Sequence, residues 1–393
     1  GGHEVLRTLV EIVRREDPTR PVTTGNDHID ADDGATTVEF MELLDVVGYN
    51  YVDRWHERRE LYATQDRHDH PDWKFTGTES GSVRGTRGEY SLGDDPERVR
   101  PSYTTGMIRA EQLWRFVALN DWFAGDFMWT GIDYLGESLW PRKNATSGVL
   151  DLVGFPDNGY YFYQSRWTEP PMIHLFPHWN WPGREGQLVP VLAYTNCDAV
   201  ELYLNGRFLA EKRLEFPRQG TSGGWNSYDS PQVFPTTADL HLTWDVPYEP
   251  GVLQAVGKRR GDVVVVEEVR TAGPATSLLV RVDRGEIEAG VRDVAHVEVA
   301  IVDADGTVVP TADHLVRFTV EGPARLVAIG NGDPTDHGSY QAGERRAFHG
   351  LLLAFIQSTD ERGMIRVTAH ADGIESASVD IASVAAERYQ RVP

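Results

Sequence analysis

Two hydrophobic periods divide this chain, and the switch between them constrains the fold more than any other feature. Val5, Leu6, Leu9, Ile12 and Val13 share one face of an amphipathic helix that Asp17-Pro18 stops. A short strand is expected at 21–24, a helix at 36–44 and a buried strand in Asp45–Tyr51 (DVVGYNY). The rhythm continues with a helix at 57–64, a strand at 74–77, a long helix at 105–119 and a strand at 125–130. Alternation of this kind predicts a parallel sheet covered by helices. Each strand ends in polar or aromatic residues: Asn26-Asp27, Asn50-Tyr51, Glu79-Ser80 and Trp129-Thr130. In a (β/α)8 barrel such strand ends face the active site, and these strands supply half of one.

Between Thr168 and Gly183, Pro170, Pro171, Pro177 and Pro182 read as a linker or wrapping segment. Helical periods then vanish. Val200–Leu204 alternates strictly and meets Asn205-Gly206, a strong hairpin signal. Further strands are expected at 240–244, 253–257 and 263–270. A second all-β unit starts near Ala275, where Val297, Val299 and Ile301 alternate before the turn Asp303-Ala304-Asp305-Gly306. Each unit has about the hundred residues of an Ig-like sandwich. The expected division is 1–167 for the α/β unit, 168–273 for the first sandwich with its Pro-rich linker, and 274–393 for the second.

Composition narrows the function classes. The net charge of -22 repels a phosphate backbone or an anionic membrane, so no nucleic acid or membrane partner is expected. No run approaches the roughly 18 apolar residues of a membrane span; a soluble protein, cytoplasmic or secreted, is expected. The single cysteine, Cys197, permits no internal disulfide and reads as core filler. His174, His178 and His337 lack the paired spacing of a zinc helix and read as surface or packing residues. The 11 Trp suit sugar binding as well as cores, and cores are their commoner use.

The most informative segment is Phe75–Gly81 (FTGTESG), a strand whose end sets Glu79 among small residues. A solvated loop carboxylate is the alternative reading. A retaining glycosidase needs a carboxylate nucleophile with a second, acidic carboxyl group about 5–5.5 Å away, and Glu79 is the candidate nucleophile. Tyr51 is placed to donate a hydrogen bond to it. Trp129 offers a flat apolar face for a pyranose ring, while Asp27 and Asn50 are candidates to bind hydroxyls, local capping being their alternative.

Asp45–Tyr51, Phe75–Ser80 (FTGTES) and Asp126–Glu137 (DFMWTGIDYLGE) together resemble successive barrel strands of glycoside hydrolase family two. Ser147–Ser165 (SGVLDLVGFPDNGYYFYQS) is similar to the segment after the last barrel strand in β-galactosidases of that family, and Gly330–Pro334 (GNGDP) and Arg345–Gly350 (RRAFHG) to their C-terminal sandwich. The resemblance implies the C-terminal half of a (β/α)8 barrel followed by two Ig-like sandwiches, in a retaining exo-β-glycosidase. It matches Glu79 to the nucleophile, Tyr51 to the tyrosine beside it and Trp129 to an aromatic wall of the sugar site. Asp133 and Glu137 belong to the same strand-end motif, as candidate sugar-binding or loop-bracing residues.

β-Galactosidase is the favoured activity, with β-glucuronidase and β-mannosidase on the same scaffold. The Asn-x-Lys signature of glucuronidases is absent from Pro141-Arg142-Lys143-Asn144. No cofactor is expected, although the family sometimes holds Mg²⁺ or Na⁺ near the sugar. Its acid/base is the Glu of an Asn-Glu pair ending the fourth strand, and the similarity begins after that pair. Glu4 and Glu11 fall on the opening helix and do not replace it. The expected partners are therefore a carbohydrate substrate, another chain supplying the rest of the barrel, or a second copy. A non-catalytic carbohydrate-binding or structural fragment is the alternative.

Overall fold

A computed structural model describes residues 2–27, 36–50, 66–81, 85–90, 110–214 (apart from 112, 115, 116 and 119) and 240–386. The expected helix at 57–64 and Tyr51 lie outside the described residues.

Helix α1 (Gly2–Glu16) buries Leu6 and Val10 against Val22, Phe40, Leu43 and Leu44. Its apolar stripe is wider than that contact, and Val5 and Leu9 stay 61% and 52% exposed. Strands β1 (Gly25–Asn26), β2 (Val47–Asn50), β3 (Phe75–Gly81) and β4 (Met128–Trp129) lie side by side in that order, all parallel. The first strand forms later than the sequence predicts. Residues 21–24 are tied at Val22, whose N–H donates to the Asp45 carboxylate (2.9 Å) and whose carbonyl accepts the Asp45 N–H (3.0 Å), without a strand ladder. Helix α2 (Val38–Met41) is likewise shorter than its pattern, with Thr37 as its N-cap.

Met41, Val47, Tyr49, Phe75, Leu113 and Phe123 form the core beneath this sheet. Gly48 is required there, because a Cβ would stand 2.3 Å from the carbonyl oxygen of Thr24 and 2.4 Å from Thr78 Cγ2. Antiparallel β5 (Tyr134–Leu135) and β6 (Asn144–Ala145) follow, then helix α3 (Asn158–Trp167), whose N-cap Asp157 accepts from the N–H groups of Gly159 and Tyr160.

The rest of the described chain is β-sandwich. Strands β7 (Ile173–Phe176), β8 (Leu188–Thr195), β9 (Ala199–Leu204), β10 (Arg207–Arg213), β11 (Leu242–Pro247), β12 (Val252–Arg259) and β13 (Asp262–Arg270) make two sheets, β11-β8-β7 and β10-β9-β12-β13. Between them pack Val191, Ala193, Leu202, Leu242, Leu253 and the indole of Trp179. The Pro-rich segment is thus more than a linker, since β7 runs inside it and is hydrogen-bonded to β8. The predicted hairpin forms between β9 and β10, with Asn205 at φ 51° and Gly206 at φ 77°. Cys197 is buried in this core.

Strands β14 (Ser277–Val282), β15 (Glu286–Ala289), β16 (Val294–Val302), β17 (Leu315–Glu321), β18 (Ala324–Gly330), β19 (Glu344–Arg346), β20 (Leu351–Ser358), β21 (Gly363–Ala371) and β22 (Ala377–Ala385) build the second sandwich. Its sheets are β14-β16-β20-β18 and β15-β22-β21-β17-β19. Val297, Val299 and Ile301 alternate into its core as their spacing predicts. The following turn is tied by Asp303, whose Oδ1 accepts the N–H groups of Asp305 and Thr307 (both 2.9 Å). No described helix is long and apolar enough to cross a membrane.

Candidate active site

Parallel pairing brings the predicted strand ends to one edge of the sheet. Asn50 is the register partner of Glu79, and Gly81, two residues further along β3, is the partner of Trp129. Residues two apart on a strand share a face, so Glu79 and Trp129 approach one side of this edge from adjacent strands. Asp27 follows Asn26, whose register partner is Tyr49. Four of the seven residues singled out from sequence, Asp27, Asn50, Glu79 and Trp129, therefore sit at neighbouring strand ends.

Glu79 is half-buried, between small neighbours as its sequence predicts. The edge around it is braced by polar contacts. Thr78 donates to Asn50 Oδ1 (3.2 Å), which fixes the amide plane. Asn26, buried at the end of β1, donates through Nδ2 to the Gly48 carbonyl (2.8 Å) and accepts from the Thr24 hydroxyl (2.8 Å). Asp126 accepts from the Ser80 hydroxyl (2.6 Å) and stands so close to Gly77 that a Cβ there would lie 2.2 Å from its Oδ1. Asn26 and Asp126 were not distinguished by sequence reasoning. The signal available for Asp126 was its place at the head of the strand-end motif that ends in Glu137.

Asp133 and Glu137 part ways. Trp129 Nε1 donates to the Tyr134 hydroxyl (3.1 Å), which donates to Glu137 Oε2 (2.5 Å), so Glu137 is an exposed carboxylate anchored to the Trp129 ring. Asp133 is buried in the following loop, where Oδ1 accepts the Gly148 N–H (2.9 Å) and Oδ2 accepts from Asn144 (3.3 Å). Burial pushes its carboxyl up to about 7, against the pull of the Gly148 N–H. Neighbouring Asp157, the α3 cap, is raised in the same direction, first by burial.

A raised carboxyl pKa in the folded state means that the folded protein binds this proton more tightly. That contribution is complete below the ordinary 3.8 and is lost as pH rises through about 7. The stability of the wild type is expected to fall across this window, and Asp133→Asn is expected to flatten that slope. Thermal unfolding of both proteins from pH 4 to 9 measures it; equal slopes would contradict the assignment of Asp133.

The second sandwich touches this region directly. Arg87 pairs with Asp151 (Nε to Oδ2, 3.0 Å), both side chains being less than a tenth exposed. It also donates to the backbone carbonyls of Asn331 (2.8 Å) and Phe348 (3.0 Å). The GNGDP turn serves this contact. Gly332 adopts φ +80° and lies so near Asp151 that a Cβ would be 1.9 Å from Oδ2. His337 Nε2 donates to the Pro141 carbonyl (2.7 Å), and its ring stacks on Trp140. His174 and His178 stack on Tyr161 and Trp181. Burial pushes the His174 imidazole down to about 3, which keeps it neutral. Among the described residues no cluster of His, Cys, Asp and Glu is arranged to hold a metal ion.

Residues 278–380 match the family model described as Glycoside hydrolase family 2 C-terminal domain 5, and residues 186–265 match a domain of unknown function (DUF4982). The chain is 32% identical to the β-galactosidase BoGH2A of Bacteroides ovatus over 96% of its own length and 43% of that protein. It is 33% identical to a putative β-glucuronidase of Formosa agariphila over 67% of the chain and 25% of the relative. A β-glycosidase structure from Bacteroides vulgatus superposes with a TM-score of 0.80 at 28% identity, covering 96% of this chain and 49% of that one. The chain thus spans less than half the length of these relatives.

Proposed function

We propose that this chain, which belongs to glycoside hydrolase family 2 and matches its C-terminal part, carries the nucleophile half of a retaining β-glycosidase site. One observation carries this reading: Glu79 is a half-buried carboxylate at a parallel strand end, level with Asn50 and beside Trp129 on the next strand. We infer that the β1–β4 sheet is half of a (β/α)8 barrel, and that the exposed Val5 and Leu9 of α1 face the remainder of that barrel.

In this mechanism the Glu79 carboxylate attacks the anomeric carbon as the bond to the leaving oxygen breaks, and that oxygen takes its proton from the second, acidic carboxyl group such a site requires. Water then displaces Glu79 from the same carbon. Two inversions give net retention. Trp129 carries the sugar face, Asn50 and Asp27 bind hydroxyls, and Tyr51 orients Glu79. Glu137 sets the tilt of the Trp129 indole through Tyr134.

A terminal β-galactoside is the favoured substrate. The relative named as a β-galactosidase aligns over nearly the whole chain, and Asp27, Asn50, Glu79 and Trp129 offer no cation to a uronate. The relative named as a putative β-glucuronidase supports a glucuronide as the second reading. Proton NMR of the full-length protein acting on a β-galactoside tests the reaction class. The β-anomer is expected as the first product, and an initial α-anomer would refute a retaining nucleophile at Glu79.

A further inference from the structure

Strand β3 does not run level with its neighbours. Up to Gly77 it pairs residue for residue with β2, Val47 with Phe75 and Tyr49 with Gly77, but Asn50 then pairs with Glu79, which leaves Thr78 as an extra residue. The chain on the other side shows the same excess. Gly77 donates its N–H to the Gly125 carbonyl and Ser80 donates its N–H to that of Phe127 (both 2.8 Å), three steps along β3 against two along the chain that enters β4. Thr78 is therefore a β-bulge with respect to both neighbours.

The bulge decides which way Glu79 points. Side chains alternate across a strand, and Phe75 and Gly77 lie on the buried face, where Phe75 packs with Met41, Leu113 and Phe123. In a regular strand Glu79 would follow them toward that core. With the extra residue the buried set becomes Phe75, Gly77 and Ser80, while Thr76, Thr78, Glu79 and Gly81 stay partly open. Both faces make room for this arrangement. On the open face a Cβ at Gly25 or Gly48 would meet the Thr78 side chain, whose hydroxyl donates to Asn50 Oδ1 (3.2 Å). On the buried face Gly77 leaves space for the Asp126 carboxylate that no Cβ could share, and Asp126 Oδ1 accepts the Ser80 hydroxyl (2.6 Å). Ser80 is fully buried, so water does not compete for that bond.

We propose that Asp126, acting through Ser80, is a positioning residue that holds the bulge at Thr78 and so aims Glu79 into the site. The inference rests on the reading of Glu79 as the nucleophile. Asp126 grips β3 one residue beyond Glu79 and from the opposite face, so it steers the carboxylate without touching the sugar. Its loss is expected to act on the rate of the chemical step and to leave binding in place. A displacement of about 1 Å at a reacting atom costs roughly 100-fold in rate.

The test compares the full-length wild type with Asp126→Ala and Asp126→Asn at a temperature where circular dichroism shows each folded; Ser80→Ala, which removes the same bond from its other end, replaces Asp126→Ala if that variant does not fold. Asp126→Ala is expected to lower kcat on a β-galactoside about 100-fold with KM within about twofold. Asp126→Asn, whose amide oxygen still accepts the Ser80 hydroxyl, is expected to recover at least about tenfold of that loss. A kcat for Asp126→Ala within about threefold of wild type, a rise in KM that matches the loss, or no recovery in Asp126→Asn overturns the proposal. Should the wild type hydrolyse neither a β-galactoside nor a β-glucuronide, the glycosidase reading fails, and the aim of residue 79 is read without activity. Glu79→Cys is then alkylated with iodoacetamide and the site mapped by mass spectrometry. Alkylation at least about tenfold slower once Asp126→Ala is added supports the clamp, and equal rates overturn it.

Discussion

Glu79→Gln in the full-length protein is expected to lower kcat for β-galactoside hydrolysis by about 10⁴-fold or more while the unfolding midpoint barely moves. The substitution keeps the shape of a half-buried side chain at the end of β3 and removes only the charge that, in the proposed mechanism, attacks the anomeric carbon. The carboxylates nearest the Trp129 end of the edge are otherwise engaged. Asp126 is spent on Ser80 and faces Gly77, and Asp133 is buried in the next loop. Glu137 lies beyond Trp129 and is engaged by Tyr134. A loss of activity that follows a loss of fold would instead make Glu79 a structural residue, and circular dichroism of the variant separates the two cases.

The largest stability effect is expected at Arg87. Arg87→Ala leaves the Asp151 carboxylate buried without its counter-ion and strips a donor from the carbonyls of Asn331 and Phe348. Breaking a buried pair in this way costs about 3–5 kcal/mol. Desolvation already pulls the Arg87 guanidinium below its ordinary value, and the Asp151 charge opposes that pull. Arg87→Lys is expected to recover little, because an ammonium cannot reach three acceptors in the geometry of a guanidinium fork. A drop in midpoint of about 5–10 °C for Arg87→Ala is expected. A midpoint within a degree of wild type would show that the sandwich is held by other contacts.

Arg87 also shows where the sequence runs out. Its partners lie 64, 244 and 261 residues away, so no local pattern marks it. Features set by local chemistry read well. Asn205-Gly206 dictates a turn with two positive φ values, and the period of Val297, Val299 and Ile301 dictates a half-buried strand. Strand β7 was hidden because Ile173–Phe176 is too short to signal through the prolines around it.

For the site, the strand-end positions of Asp27, Asn50, Glu79 and Trp129 were legible, since a parallel strand followed by a polar residue has a recognisable rhythm. The burial of Asp133 was not, because it depends on a loop folding back to present the Gly148 N–H. The Gly and Pro content of Gly330–Pro334 is that of a tight turn. That the turn exists to let Gly332 approach Asp151 required the tertiary contact.

The nucleophile is tested most directly by incubating the full-length protein with 2-deoxy-2-fluoro-β-galactosyl fluoride and mapping the labelled peptide by mass spectrometry. The fluorine slows both steps, and the reactive leaving group lets the covalent intermediate form and accumulate. A single adduct on the peptide containing Phe75–Gly81, carried by Glu79, is the predicted result. An adduct on any other carboxylate, in a protein that hydrolyses β-galactosides, would contradict the account.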